Sequence, residues 1–401
     1  MKILIISQYF WPENFRINDV VLGLKERRHE VTVLTGKPNY PAGRYFKGYN
    51  WWSKQSEVWN GIKIYRTNMI LRKDSGGIRL FLNYFSFAFF ASIRLLFIPK
   101  KFDKIFIFAP SPITQAIPGI VAKYRFGAKN FLWVHDLWPE SIRIAGGIQN
   151  RFILGIIDIM TKLIYKGTYK LLIQSKGFTN YLLNQKVEES KIIYYPFYAE
   201  SFYRIEKCRD VYKNKLPSGF TLMFAGNIGE AQSFDTLLES AAILKKRGLQ
   251  INWVIFGDGR MKDSILKRIN ELEIKDNFIL MGTYPAIEMP KYFCFADGLL
   301  VSLKKNKIFS ITIPGKVQSY LACGKPIIGS LDGVGAAIIH ESNSGFTGSA
   351  ESVDELIQAI IKLYNLKDNE RKQLGINARK YFEKEFQREI LLDKLEEILK
   401  H

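Results

Sequence analysis

Chemistry needs groups that carry protons or charge, and His135 and Asp136 are the first pair to weigh. They lie in Val134-His135-Asp136-Leu137-Trp138-Pro139-Glu140, and His135 is one of four histidines in 401 residues. The apolar run Phe131–Val134 reads as a strand. Both residues then stand at a strand's carboxyl end, where open parallel sheets hold ligands. An imidazole there can hydrogen-bond a hydroxyl or move a proton. The purely structural reading is a turn in which Asp136 caps the helix after Pro139.

A second set of residues suits phosphate. Phe224-Ala225-Gly226-Asn227-Ile228-Gly229 leaves a strand on small residues and enters a helix. Ile313-Pro314-Gly315-Lys316 opens another helix, and Gly257-Asp258-Gly259-Arg260 lies between them. Helix N-termini offer free N–H groups and a positive dipole. Proline suits the first turn, glycine lets a ligand approach the backbone, and Lys316 adds a charge. Each alone is an ordinary strand-to-helix turn, but together they point to a diphosphate. A dinucleotide fingerprint is missing. Gln8-Tyr9-Phe10-Trp11-Pro12-Glu13 after the first strand has no glycine pattern, and Gly257-Asp258-Gly259 lacks a third glycine. This argues against a dehydrogenase.

The elements that must position these groups alternate. Ile3–Ser7, Val31–Leu34, Lys104–Phe108, Phe131–Val134, Leu171–Gln174 and Ile192–Tyr195 read as strands, with helical patterns between most of them. After a polar stretch from Tyr198 to Gly219 the alternation restarts with Thr221–Ala225, Ile251–Phe256, Phe278–Met281, Gly298–Ser302 and Pro326–Gly329. This predicts an α/β chain of two doubly wound, Rossmann-like domains, residues 1–197 and 198–386. Their ligand is expected in a cleft between them. Residues 387–401 read as a helix outside the second sheet's pattern, returning to the first domain.

Composition bounds the partners. Apolar residues make up 47% and charged residues 24%, a globular balance. The net charge of +20 reads either as a call for an anionic partner, phosphorylated small molecules or a membrane surface, or simply as the mark of a source whose proteins are lysine-rich. RNA-binding aromatic signatures, zinc fingers and basic heptad helices are missing, which argues against nucleic acid. Cys208, Cys294 and Cys323 fit no metal spacing, and reduced thiols in a cytosolic setting are the simplest reading. Met1–Ser7 reads as a strand rather than a secretory signal. Ile78–Ile98 is dense in Phe and Leu, but Arg79, Asn83 and Arg94 interrupt it short of the roughly 20 residues a spanning helix needs. It reads either as a buried helix or as one lying in the membrane interface. Arg151–Lys170 is a second apolar and basic candidate.

The chain resembles, from end to end, the retaining glycosyltransferases of family four, which have the GT-B fold. The stretches that carry the resemblance are Gln8–Glu13, His29–Thr35, Pro38–Pro41, His135–Ser141, Ala225–Gly229, Gly257–Arg260 and Cys323–Ile328. They are most similar to the branch that builds capsule and O-antigen repeat units, including N-acetyl-L-fucosaminyl transferases. The resemblance implies transfer from a UDP-sugar to a polyprenyl-diphosphate-linked acceptor. It also implies no metal or other cofactor; the net charge and the apolar helices of the first domain add an expected place in the cytoplasm, peripheral on the inner face of the cell membrane. The resemblance places His135 beside the donor sugar, with Asp136. It gives the nucleotide diphosphate to the glycine turns and helix openings at Gly226, Gly229 and Gly315, and the base to Thr283 and Tyr284; Asn227 and Gln232 stand near the places of the family's basic pair, so charge neutralisation is expected to pass to Lys316 or Arg260. Glu13, Arg16, Asn39 and Tyr40 fall on the acceptor side. Ile311 and Ser319 stand where the family has paired glutamates, so ribose contacts are expected to pass to Gln318 or Ser319. A sugar-nucleotide epimerase of the same fold and a non-catalytic membrane scaffold are the alternatives.

Overall fold

The structure is a computed structural model that describes residues 1–73, 77–144 and 150–401. It divides into two compact units, Met1–Tyr195 with Leu392–His401, and Pro196–Leu391.

The first unit is built on eight strands: β1 (Lys2–Ser7), β2 (Glu30–Gly36), β3 (Ser56–Trp59), β4 (Ile62–Thr67), β5 (Lys104–Ala109), β6 (Lys129–Val134), β7 (Lys170–Ile173) and β8 (Ile192–Tyr194). Their order is β3-β4-β2-β1-β5-β6-β7-β8, parallel except for the β3–β4 pair. The central strands are apolar throughout because helices cover both faces: Ile3, Leu4, Ile5 and Ile6 are fully buried. Each such side chain contributes about 1.5–3 kcal/mol of burial. The order in which strands are added reverses around β1, which lies between β2 and β5, while the strands stay parallel. The residues leaving β1, β5 and β6 therefore meet at one end of the sheet.

Helix Gly77–Leu96 packs on helix Ala116–Phe126, which packs in turn on helix Arg151–Gly167. The first of these is long and apolar enough to pass as a membrane span by composition. Asn83 shows how its inner face is used. It is fully buried, accepts from Gln8 Nε2 at 2.8 Å and donates to the carbonyl of Ile70 at 2.6 Å. Phe87, Ala88, Ala91 and Leu95 continue that buried face, while Phe81, Leu82, Phe89, Ile93 and Leu96 point outward. The helix is thus a core element on one side and an exposed apolar surface on the other. In helix Arg151–Gly167, Asn150 starts the helix by accepting from the N–H groups of Phe152 and Ile153. Leu154, Ile157, Thr161 and Ile164 face inward at helical spacing, and Phe152, Ile153, Ile156, Ile159 and Leu163 face outward.

The last helix, Arg388–Lys400, belongs to the first unit from Leu392 onward. Leu392, Leu395 and Leu399 are buried there. Asp393 pairs with Arg27 at 2.6 Å and Glu396 faces His29 at 3.5 Å.

The second unit has six parallel strands: β9 (Phe220–Ala225), β10 (Ile251–Phe256), β11 (Phe278–Gly282), β12 (Gly298–Ser302), β13 (Ile327–Ser330) and β14 (Gly345–Gly348), in the order β11-β10-β9-β12-β13-β14. Here the reversal falls between β9 and β12. Trp253, Leu222, Phe224, Leu238 and Leu356 lie in one cluster of its core. Cys208 and Cys294 form a disulfide with Cα atoms 5.6 Å apart, which corrects the reading of separate thiols. The fold joins positions 86 residues apart by laying the turn at Tyr212 against Tyr292, ring to ring at 5.2 Å. Cys323 is free and buried.

Candidate functional site

In the second unit the turns after β9, β10 and β11 are tied to one another. Gly226 N–H donates to Phe256 O at 2.9 Å, Ile228 N–H to Asp258 O at 2.9 Å, and Gly257 N–H to Gly282 O at 2.8 Å. Glycine is required for this. At Gly257 (φ +143°) a Cβ would lie 1.9 Å from the carbonyl oxygen of Gly226, and at Gly259 one would lie 2.3 Å from that of Ile228. The glycine pairs read from the sequence are thus the joints of one stacked set of loops.

Lys316 lies over this set. Its Nζ stands 4.7 Å from the centre of the Phe224 ring, a cation–π contact, and its aliphatic end lies against Gly226. Loss of solvation pushes the Lys316 amine down to about 8. It belongs to helix Gly315–Ala322, whose N-cap position, Pro314, gives no side-chain cap. Gly315 is exposed, and a Cβ there would meet nothing. A half-buried ammonium beside uncapped N–H groups and an exposed glycine turn could hold phosphate oxygens. Among the described residues no group of three or more His, Cys, Asp or Glu side chains could hold a metal ion.

The other expected donor contacts are distributed differently. Arg260 is exposed and pairs with Glu230 at 2.7 Å, and Lys304 takes the other oxygen of that carboxylate at 3.1 Å. One carboxylate thus serves two cations, and the cluster keeps a net positive charge. Gln318 is buried and its amide donates to the carbonyl of Phe197 at 2.7 Å. Ser319 bonds back to Gly315 O at 3.2 Å within its own helix. Gln232 accepts from Gly229 N–H at 3.3 Å and so caps the turn, and Gly229 itself is buried. Asn227 is exposed beside Gly226. Thr283 is exposed after β11, and the Tyr284 ring packs on Phe256 and Tyr292. Tyr320 was not singled out from the sequence. Its hydroxyl accepts from Ala225 N–H at 3.0 Å and anchors the end of β9. Its one sequence signal is its place a turn beyond Lys316.

In the first unit His135 leaves β6 between two rings, Phe108 at 4.5 Å and Trp133 at 4.7 Å, both edge-on. Burial, with the charge of Arg16 nearby, holds its pKa well below the usual range, so the imidazole is neutral at neutral pH. Burial pushes Asp136 up to about 6. Arg16 opens helix Arg16–Glu26. Glu13 is buried and accepts three backbone N–H groups, from Asn39 at 2.8 Å, Tyr40 at 2.7 Å and Phe10 at 3.2 Å. It thereby joins the loops after β1 and β2. Asn39 is fully buried, and its amide donates to Lys37 O at 2.8 Å. The Tyr40 ring packs on Tyr9 and Phe15 with the Arg72 guanidinium above it. Of the four residues expected on the acceptor side, Glu13 and Asn39 shape the loops, while Tyr40 presents a partly open aromatic face.

Residues 210–381 match the family Glycosyl transferases group 1. WcaI of Escherichia coli (strain K12), named for glycosyl transfer in colanic acid biosynthesis, is 23% identical over 340 residues, 81% of this chain and 82% of that protein. Among solved structures, sucrose-phosphate synthase from Thermosynechococcus elongatus is similar with a TM-score of 0.76 at 13% identity, covering 100% of this chain and 98% of that one. HepE of Anabaena, solved with UDP and glucose, is similar with a TM-score of 0.70 at 12% identity, covering 100% and 99%. With two Rossmann-like units in the GT-B manner and this family match in the second, the chain is a glycosyltransferase.

Proposed function

We propose that the chain transfers a sugar from a UDP-sugar to a polyprenyl-diphosphate-linked acceptor, with anomeric retention and without a metal, in the synthesis of a bacterial surface polysaccharide. The observation that carries the reading is Lys316 on the glycine turn of β9, at the point where the second sheet reverses. WcaI is named for colanic acid biosynthesis and HepE was solved with UDP, which agree with this donor and this pathway class.

In the step proposed, the bond between the anomeric carbon and the diphosphate oxygen breaks. The acceptor hydroxyl bonds to that carbon on the same face, and its proton passes to the departing phosphate. Lys316 and the N–H groups at Gly315 stabilise the charge that gathers on UDP. His135, neutral, hydrogen-bonds a hydroxyl of the reacting sugar. The resemblance to N-acetyl-L-fucosaminyl transferases makes UDP-N-acetyl-L-fucosamine the first donor to try. The outward apolar residues of helices Gly77–Leu96 and Arg151–Gly167, with the net charge of +20, support peripheral attachment to the inner membrane face.

Calorimetric titration of UDP, with and without chelator, is the first test, followed by mass spectrometry of acceptor incubated with a panel of UDP-sugars. Binding unaffected by chelator and a mass gain of one sugar are expected. UDP binding abolished by chelator, or hydrolysis without transfer, would count against the proposal.

A further inference from the structure

At the carboxyl end of the first sheet two opposite charges stand unanswered. Asp136 is half-buried, yet it makes no hydrogen bond or ion pair among the described residues. The helix cap that its place before Pro139 suggests is not made, because no backbone N–H group donates to it. The ionisable groups near it on other elements are the phenols of Tyr84 and Tyr165, and His135 beside it is neutral, so none of them balances its charge. Arg72 is the converse. Its guanidinium lies 5.7 Å from the centre of the Tyr40 ring and beside the Tyr9 hydroxyl, and no carboxylate pairs with it among the described residues.

Helix Gly77–Leu96 sets the spacing of the two. Asn83 Nδ2 donates to Ile70 O at 2.6 Å, and Ser86 Oγ accepts from Ile70 N–H at 2.9 Å, so this helix turn clamps the chain two residues before Arg72. Tyr84 lies in the same turn. Its ring meets Trp138 edge-on at 6.3 Å, two residues after Asp136, and its hydroxyl feels the charges of both Arg72 and Asp136. That hydroxyl also has no hydrogen-bond partner among the described residues. A guanidinium stacked on a ring keeps its N–H edge open to phosphate oxygens. An ionised carboxylate only accepts, so it calls for a hydroxyl donor and repels a phosphate. A bare anion would leave Asp136 unpaired, and a neutral sugar would leave Arg72 unpaired. A sugar with a diphosphate on its anomeric carbon satisfies both, in one orientation. Unpaired charges of this kind persist where a ligand answers them.

We propose that Arg72 and Asp136 orient a sugar diphosphate on the first unit, with the diphosphate on Arg72, a sugar hydroxyl on Asp136, and the Tyr84 hydroxyl bonded to the ligand between them. The proposal rests on the lipid-linked acceptor reading above and adds which end of the acceptor each residue takes. The sugar then lies at the strand end that carries His135, and acceptors are selected for a hydroxyl that reaches Asp136.

The test is calorimetry of the full chain, saturated with UDP, against geranyl diphosphate carrying N-acetylglucosamine, N-acetylgalactosamine or galactose. Geranyl methyl diphosphate, of the same charge, is the sugarless probe. At least one conjugate should bind more tightly than the sugarless probe. Arg72→Gln should weaken both kinds of probe about 10- to 100-fold, as loss of a charge-assisted bond implies. Asp136→Asn should weaken the conjugate about ten-fold and leave the sugarless probe within about two-fold. Tyr84→Phe should cost the conjugate about three- to ten-fold. UDP affinity should stay at the wild-type value in all three variants, and Asp136→Asn should melt above the wild type at pH 8, so that lost conjugate binding is not lost fold. Equal loss of both probes from Asp136→Asn, or no loss from Arg72→Gln, would overturn the assignment. Weaker UDP binding by Arg72→Gln would give this place to the donor's diphosphate and overturn it too. A free sugar 1-phosphate that binds as tightly as its geranyl conjugate would overturn the lipid-linked source. If no conjugate binds the wild type, the acceptor reading itself fails. If conjugates bind and the variants match the wild type, that reading stands and this site does not.

Discussion

Gly226 and Lys316 are in contact: a Cβ on the glycine would lie 2.6 Å from Cε of the lysine and 2.9 Å from its Nζ. The turn is glycine both for its backbone (φ +148°) and to leave room for the amine. Gly226→Ala should therefore displace Lys316 and weaken UDP binding about ten-fold, with a modest loss of stability. Gly257→Ala meets a backbone oxygen that cannot step aside, and should cost about 1–3 kcal/mol or more of stability. Thermal melts beside UDP titrations check the contrast, and the idea fails if the two variants behave alike.

Lys316 also predicts a pH dependence. Its folded pKa, about 8, lies below the ordinary 10.5. The cost of desolvating the ammonium is thus present in full below pH 8 and is relieved as pH rises towards 10.5. UDP affinity should fall as pH rises above about 8, with proton uptake on binding there. Lys316→Ala should bind UDP roughly 10- to 100-fold more weakly, as a lost charge-assisted bond implies, and should show a flat profile. Calorimetry in buffers of different ionisation enthalpy reads both effects, and a wild-type profile unchanged through pH 8–9 would remove Lys316 from the phosphate.

His135→Ala should lower transfer by about 10²–10³ while UDP binding stays near normal, as expected when one positioned hydrogen bond to a reacting sugar is removed. Because His135 is neutral in the fold, the wild-type rate should show no titration of this residue between pH 6 and 8. A folded His135→Ala protein with near-normal transfer would sink the assignment.

Asp136 gives a stability prediction of opposite sign to most substitutions. Its folded pKa of about 6 lies above the ordinary 3.8, so the fold loses stability as pH rises between these values. At pH 8 Asp136→Asn should be more stable than the wild type by on the order of 1–3 kcal/mol, and at pH 3.5 the two should match. Melts at both pH values decide it: a variant less stable at pH 8 would show that the carboxylate is held by the fold rather than strained by it.

Much of this was written in apolar spacing. Ile3–Ile6 and Ile105–Phe108 are buried on both faces, and such runs read as strands without any structure. The glycine turns were also legible, because only glycine fits where Gly257 meets Gly226. Strands β3, β4 and β14 were missed for physical reasons. Ser56–Trp59 is an antiparallel edge whose burial is partial, Ile62–Thr67 alternates, and Gly345–Gly348 is half glycine. Site residues were least legible where one polar group serves another. Nothing local in Arg260 announces Glu230, and nothing local in Gln318 announces the bond of its amide to Phe197. The distant pairing of Cys208 with Cys294 depends on tertiary contact alone.

The strap formed by Leu392–His401 has a consequence for biogenesis. Arg27 and His29 emerge early in synthesis, but their partners Asp393 and Glu396 follow only after the whole of the second unit has been made. The first unit must wait, incomplete, with the surface meant for Leu392, Leu395 and Leu399 uncovered, so maturation of the early half is timed by translation of the late one.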